Sequence, residues 1–548
     1  MILFGATGFT GRLVAKYIHK QKADIKWAIA GRSQSKLSAL MTELVNMQSP
    51  RNLPDVLIAD ASDPKALADV CSEAKIVLNC TGPFRFLGKE VVEACLKAKC
   101  TYMDICGEPQ FMDKCFLDYH DKAIENNVLI MHACAFDSVP ADMGALYTMR
   151  LFDELKCSSI ESFLTIDCPK GLKGHFTTYE SAVHGMGDVK SLKNIRSEVK
   201  LKYNPPIITY PGPKLARVTS YKFDDRVGKY VIPFLGSDAS VVRSSQRTLA
   251  MRTGQNQWPQ YSACVTLSDF YAVAAMSVYG SIFSALSSNS WGRSILLTYP
   301  ETYSGGLFSK TGPSQEQLDN TTFQMHFYAK GFLSRNDKDK DIEKIEKIEK
   351  KDGNIDVNID GNEGVVETVG ETIGEAVGSN ININTVKQDT LKHDILHNNE
   401  EESEKKRVAR GETALLKTEV ASTQNIIKPC SFNNIFPNRK NVGGKSDNLS
   451  NLSDTVPDKF VHVVVKGLEP GYVATPAIFF ALALCVLEER NVLPKGGVLT
   501  PSSAFYNSTT VFSRLIKAGL EFEIVDIQNG KPGTGFLIGK NKIGRAHV

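Results

Sequence analysis

Over residues 1–132, short apolar runs alternate with amphipathic stretches. The runs Met1–Phe4, Lys26–Ala30, Asp55–Ala59, Ile76–Cys80, Thr101–Ile105 and Val128–His132 read as strands. Helical spacing occupies the stretches near 9–20, 34–47, 64–73, 87–99 and 111–126. This alternation specifies a parallel sheet covered on both faces, and right-handed crossovers make it doubly wound.

From about residue 155 the pattern is mixed. Ser159–Ile166, Lys229–Ile232 and Thr322–Tyr328 read as strands, and Lys190–Lys200 as a charged helix. Phe270–Leu286 carries seventeen residues without a charge, rich in Ser and Ala. Its length is borderline for a membrane span. A buried helix of the second domain is the plainer expectation, and a lipid-surface anchor is the sharper one. Order returns late, with a strand at Lys459–Lys466. Thr475 is expected to cap an apolar helix over Ala477–Leu487, with Pro476 at its first position. A helix near Thr509–Ala518 and a strand at Glu521–Val525 follow.

Between Ser334 and Asp458 the composition shifts to Asp, Glu, Lys and Asn, with short repeats such as Ile342–Lys347. Such a stretch buries too little apolar surface to offset chain entropy, so a disordered insertion is expected, with a transient helix at 341–351. The predicted class is therefore α/β: a Rossmann doubly wound parallel sheet with a second α+β domain interrupted by a disordered insertion. The expected boundaries are 1–150 for the nucleotide domain, 151–333 plus 459–526 for the second, 334–458 for the insertion and 527–548 for a tail. The chain opens directly on strand residues, with no leader, so a short natural N-terminus is expected to be missing. Ile543–Val548 resembles a translated sequencing adapter and is expected to be foreign.

Composition narrows the function classes. A net charge of +3 argues against nucleic acid as a partner. Twelve cysteines occur without a C-x-x-C pair or zinc-like spacing to histidine, which indicates a reducing compartment and no structural metal.

The chemistry begins at Gly5-Ala6-Thr7-Gly8-Phe9-Thr10-Gly11. This G-x-x-G-x-x-G loop follows a strand and opens a helix, the context a dinucleotide fingerprint requires. Gly5, Thr7, Gly8, Phe9, Thr10 and Gly11 are the candidate pyrophosphate contacts, at the positive end of the helix. The second strand ends without the acidic residue that selects NAD. It offers Arg32, Ser33 and Lys36, which suit the 2′-phosphate of NADP(H). Later strand ends contribute Asp60 near the adenine and Asn79, Thr81, Gly82 and Pro83 under the nicotinamide side. Asp104, Glu108 and Asp137 are the carboxylates available for acid–base work, and each could equally cap a helix. No Tyr-x-x-x-Lys pair stands where a short-chain dehydrogenase has one.

Beyond the fingerprint, the strings GATGFTGRLVAKYI, AGRSQSKL, NCTGPFRFLGKEVVEAC, YMDICGE, ACAFDSVPADMGA, GHFTTYESAVHGMGD, PFLGSDASVVRSSQR, LFSKTGPSQEQLD, GYVATP and PKGGVLTPSSAFYNST resemble the saccharopine dehydrogenase-like oxidoreductases of animals. The resemblance covers nearly all of the chain outside 334–458 and the tail. It implies an NADP-type domain, a second domain completing the cleft, and association with membranes or lipid droplets, with the mitochondrion as a further site. Bacterial relatives act as trans-acting enoyl reductases in complex-lipid synthesis. The implied partners are a small-molecule or lipid substrate, a lipid surface and a second copy of the chain. Two functions follow: an NADP(H)-dependent oxidoreductase on a lipid-like or acyl substrate, or a non-catalytic dinucleotide-binding scaffold or sensor.

Overall fold

The computed structural model describes residues 1–21, 25–47, 53–152, 156–333 and 456–530. The expected insertion, its transient helix and the foreign hexapeptide lie outside these residues, apart from 456–458.

Seven strands form the N-terminal sheet: β1 (Ile2–Phe4), β2 (Ala28–Gly31), β3 (Asp55–Ile58), β4 (Ile76–Asn79), β5 (Thr101–Asp104), β6 (Leu129–Met131) and β15 (Gly497–Leu499). Their order is β15-β6-β5-β4-β1-β2-β3, and every pair is parallel. The strands other than the edge strand β3 are wholly buried, as apolar runs sandwiched between helices must be. The crossovers are α1 (Phe9–Lys20), α2 (Gln34–Asn46), α3 (Pro64–Ser72), α4 (Phe84–Ala98) and α5 (Pro109–Glu125). Each expected strand and helix is present, with ends moved by up to three residues.

β15 was not legible in the sequence. It is three residues long and begins at Gly497, whose φ is +120°. Tertiary contacts hold it: the Val498 N–H donates to His120 Nδ1 at 3.1 Å.

The second sheet has the order β16-β14-β13-β7-β11-β10-β9. Its strands are β7 (Cys157–Asp167), β9 (Lys222–Asp224), β10 (Lys229–Pro233), β11 (Gln260–Leu267), β13 (Thr322–Gly331), β14 (Lys459–Leu468) and β16 (Glu521–Asn529). A small pair joins β8 (Gly174–His175) to β12 (Phe308–Ser309). β13 and β14, which flank the expected insertion, are antiparallel neighbours in continuous register from Thr322↔Leu468 to Gly331↔Lys459. Asp458 closes their base by accepting from the Leu333 N–H at 2.7 Å. β16 runs to Asn529, three residues beyond the expected domain end.

The remaining helices are α6 (Val139–Met149), α7 (Phe176–Gly187), α8 (Val189–Tyr203), α9 (Asp238–Thr253), α10 (Phe270–Ser287), α11 (Ser290–Thr298), α12 (Pro300–Tyr303), α13 (Gln315–Asn320), α14 (Thr475–Glu488), α15 (Pro501–Ala504) and α16 (Val511–Lys517). α14 lies against α1, with Tyr17 and Phe480 ring centroids 6.2 Å apart, and so shields the nucleotide domain from the C-terminal side. Thr475 does not cap it. A π-turn at Pro470–Ala474 precedes the helix, and the Thr475 hydroxyl donates back to Pro470 O at 3.0 Å.

The expectation of a buried helix at 270–286 is overturned. α10 is 11% buried, with Val273 and Ser287 the residues that reach the interior. The more apolar segment Pro470–Glu488 is instead 78% buried.

Candidate functional site

The glycine loop turns at Gly5, whose φ of +77° is open to glycine at little cost. A Cβ on Gly5 would stand 2.5 Å from Thr81 Oγ1, and one on Gly11 would stand 2.2 Å from Gly5 O. Gly8 differs: its added Cβ would meet nothing nearer than Gly5 O at 3.3 Å, so its outer side is open. α2 and α3 are capped by the side chains of Ser33 and Asp63, whereas no side chain caps α1. The free N–H groups and positive end of α1 thus stand ready for an anion. Thr81 Oγ1 is buried beside Gly5 with no partner among the described residues. A glycine cradle, an uncapped helix and an orphaned hydroxyl together fit a dinucleotide.

At the end of β2, Arg32 and Lys36 are exposed and Ser33 is half-buried. Ser33 accepts from the Lys36 N–H at 3.4 Å and its hydroxyl meets that of Ser35 at 3.1 Å. Asp60 accepts from both the N–H and the hydroxyl of Ser62, each at 2.9 Å. Those bonds, with the Arg32 charge as a smaller cause, hold its carboxyl below the usual range. Arg32 and Asp60 therefore share one edge of the sheet. Asn79 is fully buried and shapes the turn after β4, donating to Tyr102 Oη at 3.1 Å and accepting from the Thr81 N–H at 2.9 Å. Gly82 and Pro83, joined by a cis peptide, complete that turn.

The three candidate carboxylates separate sharply. Asp104 is wholly buried and accepts from Tyr102 Oη (2.9 Å), the Cys106 N–H (3.1 Å) and the Ala133 N–H (3.1 Å), with His132 Nδ1 at 2.7 Å. It locks β5 to β6. Glu108 is 3% exposed and caps α4 from outside, accepting from the Phe84 N–H at 2.8 Å and from Arg85 Nε at 2.8 Å. Ser181 Oγ donates to it at 3.1 Å. Both carboxylates are consumed by structure. Asp137 is open to solvent on one side, and its carboxylate lies against Gly107, where an added Cβ would fall 2.7 Å from Oδ2. Surrounding protein, and secondly the charge of Glu108, push its carboxyl up to about 6. Of the three, Asp137 is the exposed one.

Second-domain residues that sequence patterning did not single out close over the loop. The Phe9 ring stacks on His175, with centroids 4.4 Å apart, and meets the edge of Tyr472 at 4.9 Å. Tyr472 Oη accepts from the His175 N–H at 2.6 Å, and burial pushes its phenol up to about 12. His175 caps α7 through Nδ1, which accepts from the Thr177 N–H at 3.3 Å. Gly82 faces Thr177 on the same side. Glu469 holds the π-turn that presents Tyr472, accepting from the N–H groups of Gly471, Tyr472 and Val473. The available signal was that His175 and Tyr472 both fall inside strings that carry the family resemblance.

α10 begins one layer away. Phe283 on α10 packs against Tyr179 on α7 with ring centroids 5.7 Å apart. Three of its serines bond back to the helix: Ser277 donates to Val273 O at 2.8 Å, Ser281 to Ser277 O at 2.7 Å and Ser287 to Ser284 O at 3.2 Å. Such back-bonding lowers the polarity of those serines. Tyr271, Val278 and, on α11, Trp291 are exposed by 86%, 59% and 70%.

Residues 1–131 match the saccharopine dehydrogenase NADP binding domain. Over 342 residues the chain is 39% identical to a saccharopine dehydrogenase-like oxidoreductase of Mus musculus, covering 61% of this chain and 78% of that protein. It is 28% identical over 342 residues to a lipid droplet localized protein of Caenorhabditis elegans, covering 61% of this chain and 78% of that protein. A shorter match of 149 residues, at 40% identity, joins 27% of this chain to 35% of a protein of Mycobacterium tuberculosis whose name describes a trans-acting enoyl reductase.

Proposed function

Because the chain belongs to the saccharopine dehydrogenase-like oxidoreductases and carries their NADP-binding domain, we propose that it passes hydride between NADP(H) and a lipid-like or acyl substrate drawn from a membrane or lipid-droplet surface. The observation that carries this reading is α10: eighteen residues without a charge, exposed, and packed on the helix whose N-cap residue, His175, stacks on Phe9 of the glycine loop. A soluble protein rarely leaves so large an apolar surface uncovered unless it serves binding. The name of the nematode relative supports the same setting.

In this reading the N–H groups at the start of α1 hold the pyrophosphate, with Thr81 Oγ1 at its side. Arg32, Ser33 and Lys36 read the 2′-phosphate. The bound nicotinamide supplies the hydride chemistry. Phe9, His175 and Tyr472 wall off water from that end of the site, and Asp137 gives or takes the accompanying proton at its carboxyl oxygen. α10 rests in the lipid interface and brings the acyl chain toward α7.

The test is direct. Purified protein is assayed for NADPH binding by fluorescence transfer, then for NADPH consumption with acyl and enoyl substrates presented in phospholipid vesicles. Consumption that requires vesicle-borne substrate is expected. Binding with no turnover across the panel would favour a nucleotide-sensing scaffold on lipid surfaces, and absence of binding would defeat both.

A further inference from the structure

Three cysteines from separate elements bring their sulfur atoms together inside the nucleotide domain. Cys71 lies in the last turn of α3, Cys95 is on α4 and Cys100 precedes β5. After Cys95 the helix stops at Lys99, which takes the left-handed conformation with φ 57°. The Cys100 N–H then donates to Cys95 O at 3.1 Å, a helix-terminating bond that folds the chain back on itself. This sets the Cys100 thiol beside that of Cys95. The packing of α3 on α4 supplies the third: Cys71 Sγ and Cys95 Sγ are 3.7 Å apart, and all three sulfurs lie within 4.8 Å of one another.

The donor set is purely sulfur. Among the described residues no imidazole or carboxylate joins the cluster. The three cysteines are 1%, 0% and 2% exposed, among Leu67, Val70, Val91 and Val92. Three sulfurs each about 2.3 Å from one ion in a plane stand about 4.0 Å apart; here one pair is 3.7 Å apart and none of the three is more than 4.8 Å from another. Zinc in structural sites takes four ligands, and no fourth cysteine, histidine or carboxylate joins the three among the described residues. Thiolates without oxygen or nitrogen donors select soft ions such as Cu(I).

We propose that Cys71, Cys95 and Cys100 form a buried three-sulfur site for one soft, thiophilic monovalent ion of the Cu(I) class. Thiol protons leave as the ion enters. Entry is by fraying of the α3 end, where Ser72 and Glu73 are exposed next to Cys71. Cys95 and Cys100 form a C-x4-C pair, but the third cysteine lies far upstream and no cysteine–histidine group stands at zinc spacing, which is why the sequence pointed to no metal.

The experiment uses the full reduced chain under anaerobic conditions, titrated with Cu(I) against bicinchoninate, beside the Cys95→Ala and Cys100→Ala variants. Wild type is expected to take a single equivalent from the competitor. Loss of an outer partner already costs roughly 10–100-fold in metal affinity, so losing a sulfur ligand is expected to weaken binding by at least ~100-fold. NADPH binding and thermal midpoint of the variants report on folding. Should they misfold, X-ray absorption on copper-loaded wild type decides instead: three sulfur scatterers are expected, without nitrogen or oxygen. Equal uptake by wild type and folded variants, a nitrogen- or oxygen-containing shell, no uptake, or tighter retention of Zn(II) would each overturn the proposal.

Discussion

Phe9 of the glycine loop lies nearly parallel to His175 at the cap of α7, their planes 14° apart at a centroid separation of 4.4 Å. The first residue of the phosphate-binding helix is thus clamped by an element more than 150 residues downstream. A stacked pair of this kind contributes roughly 0.5–1.5 kcal/mol. His175→Ala is therefore expected to weaken NADPH and NADH alike, by about 2–10-fold. Titration with both nucleotides checks this, and unchanged affinity for both would show that the clamp does not order the loop.

Arg32 carries a different expectation, because the proposed function assigns it to the 2′-phosphate alone. Charge-assisted hydrogen bonds contribute about 1.5–3 kcal/mol, so Arg32→Ala is expected to weaken NADPH by roughly 10–100-fold and NADH little. Equal loss for the two nucleotides would remove Arg32 from 2′-phosphate recognition.

As the proposed proton donor, Asp137 is expected to make the rate sensitive to pH. Its carboxyl titrates near 6, so as a proton donor it is loaded below that value and empties as pH rises through it. The reductive rate is expected to fall across that limb, and Asp137→Asn to remove the limb and cost about 10²–10⁴ in turnover. Stability runs in a related sense. A folded-state value above the ordinary carboxylate range means that the native state holds the proton more tightly, so this group's contribution to stability falls as pH rises from the unfolded value through 6. Asp137→Asn should raise the thermal midpoint at alkaline pH and not at acid pH, by under ~1 kcal/mol because the side chain is open to solvent. A limb that persists in the variant would assign it to another group.

α10 can be tested without deleting it. Val278 and Ile282 are 59% and 41% exposed, so Val278→Asp with Ile282→Asp should shift stability by no more than ~0.5 kcal/mol each. If these side chains enter lipid at roughly 1.5 kcal/mol or more apiece, vesicle partitioning drops by about 100-fold. Co-sedimentation with vesicles, with and without high-salt and carbonate washes, measures it. Undiminished partitioning would place the lipid contact elsewhere.

Much of the nucleotide domain was legible because its signals are local. A strand, a glycine turn and a helix start within a dozen residues, and each leaves its period and its obligatory glycine in the sequence. Residue type alone could not rank Asp104, Glu108 and Asp137, since all three stand at strand ends. What separates them is consumption of hydrogen-bonding capacity by Tyr102, His132, Phe84 and Arg85, partners supplied by the packing of strands and helices.

By itself the sequence determined the βαβ alternation, the dinucleotide loop, the lack of an acid at Arg32 and the uncharged run at 270–286. Only the tertiary structure decided that this run faces outward while 470–488 faces inward, that β15 completes the first sheet, that His175 and Tyr472 close over Phe9, and that three scattered cysteines share one point. The reason is physical. Periodicity and turn chemistry act along the chain, whereas exposure, pKa and ligand geometry depend on which distant side chains arrive beside a residue.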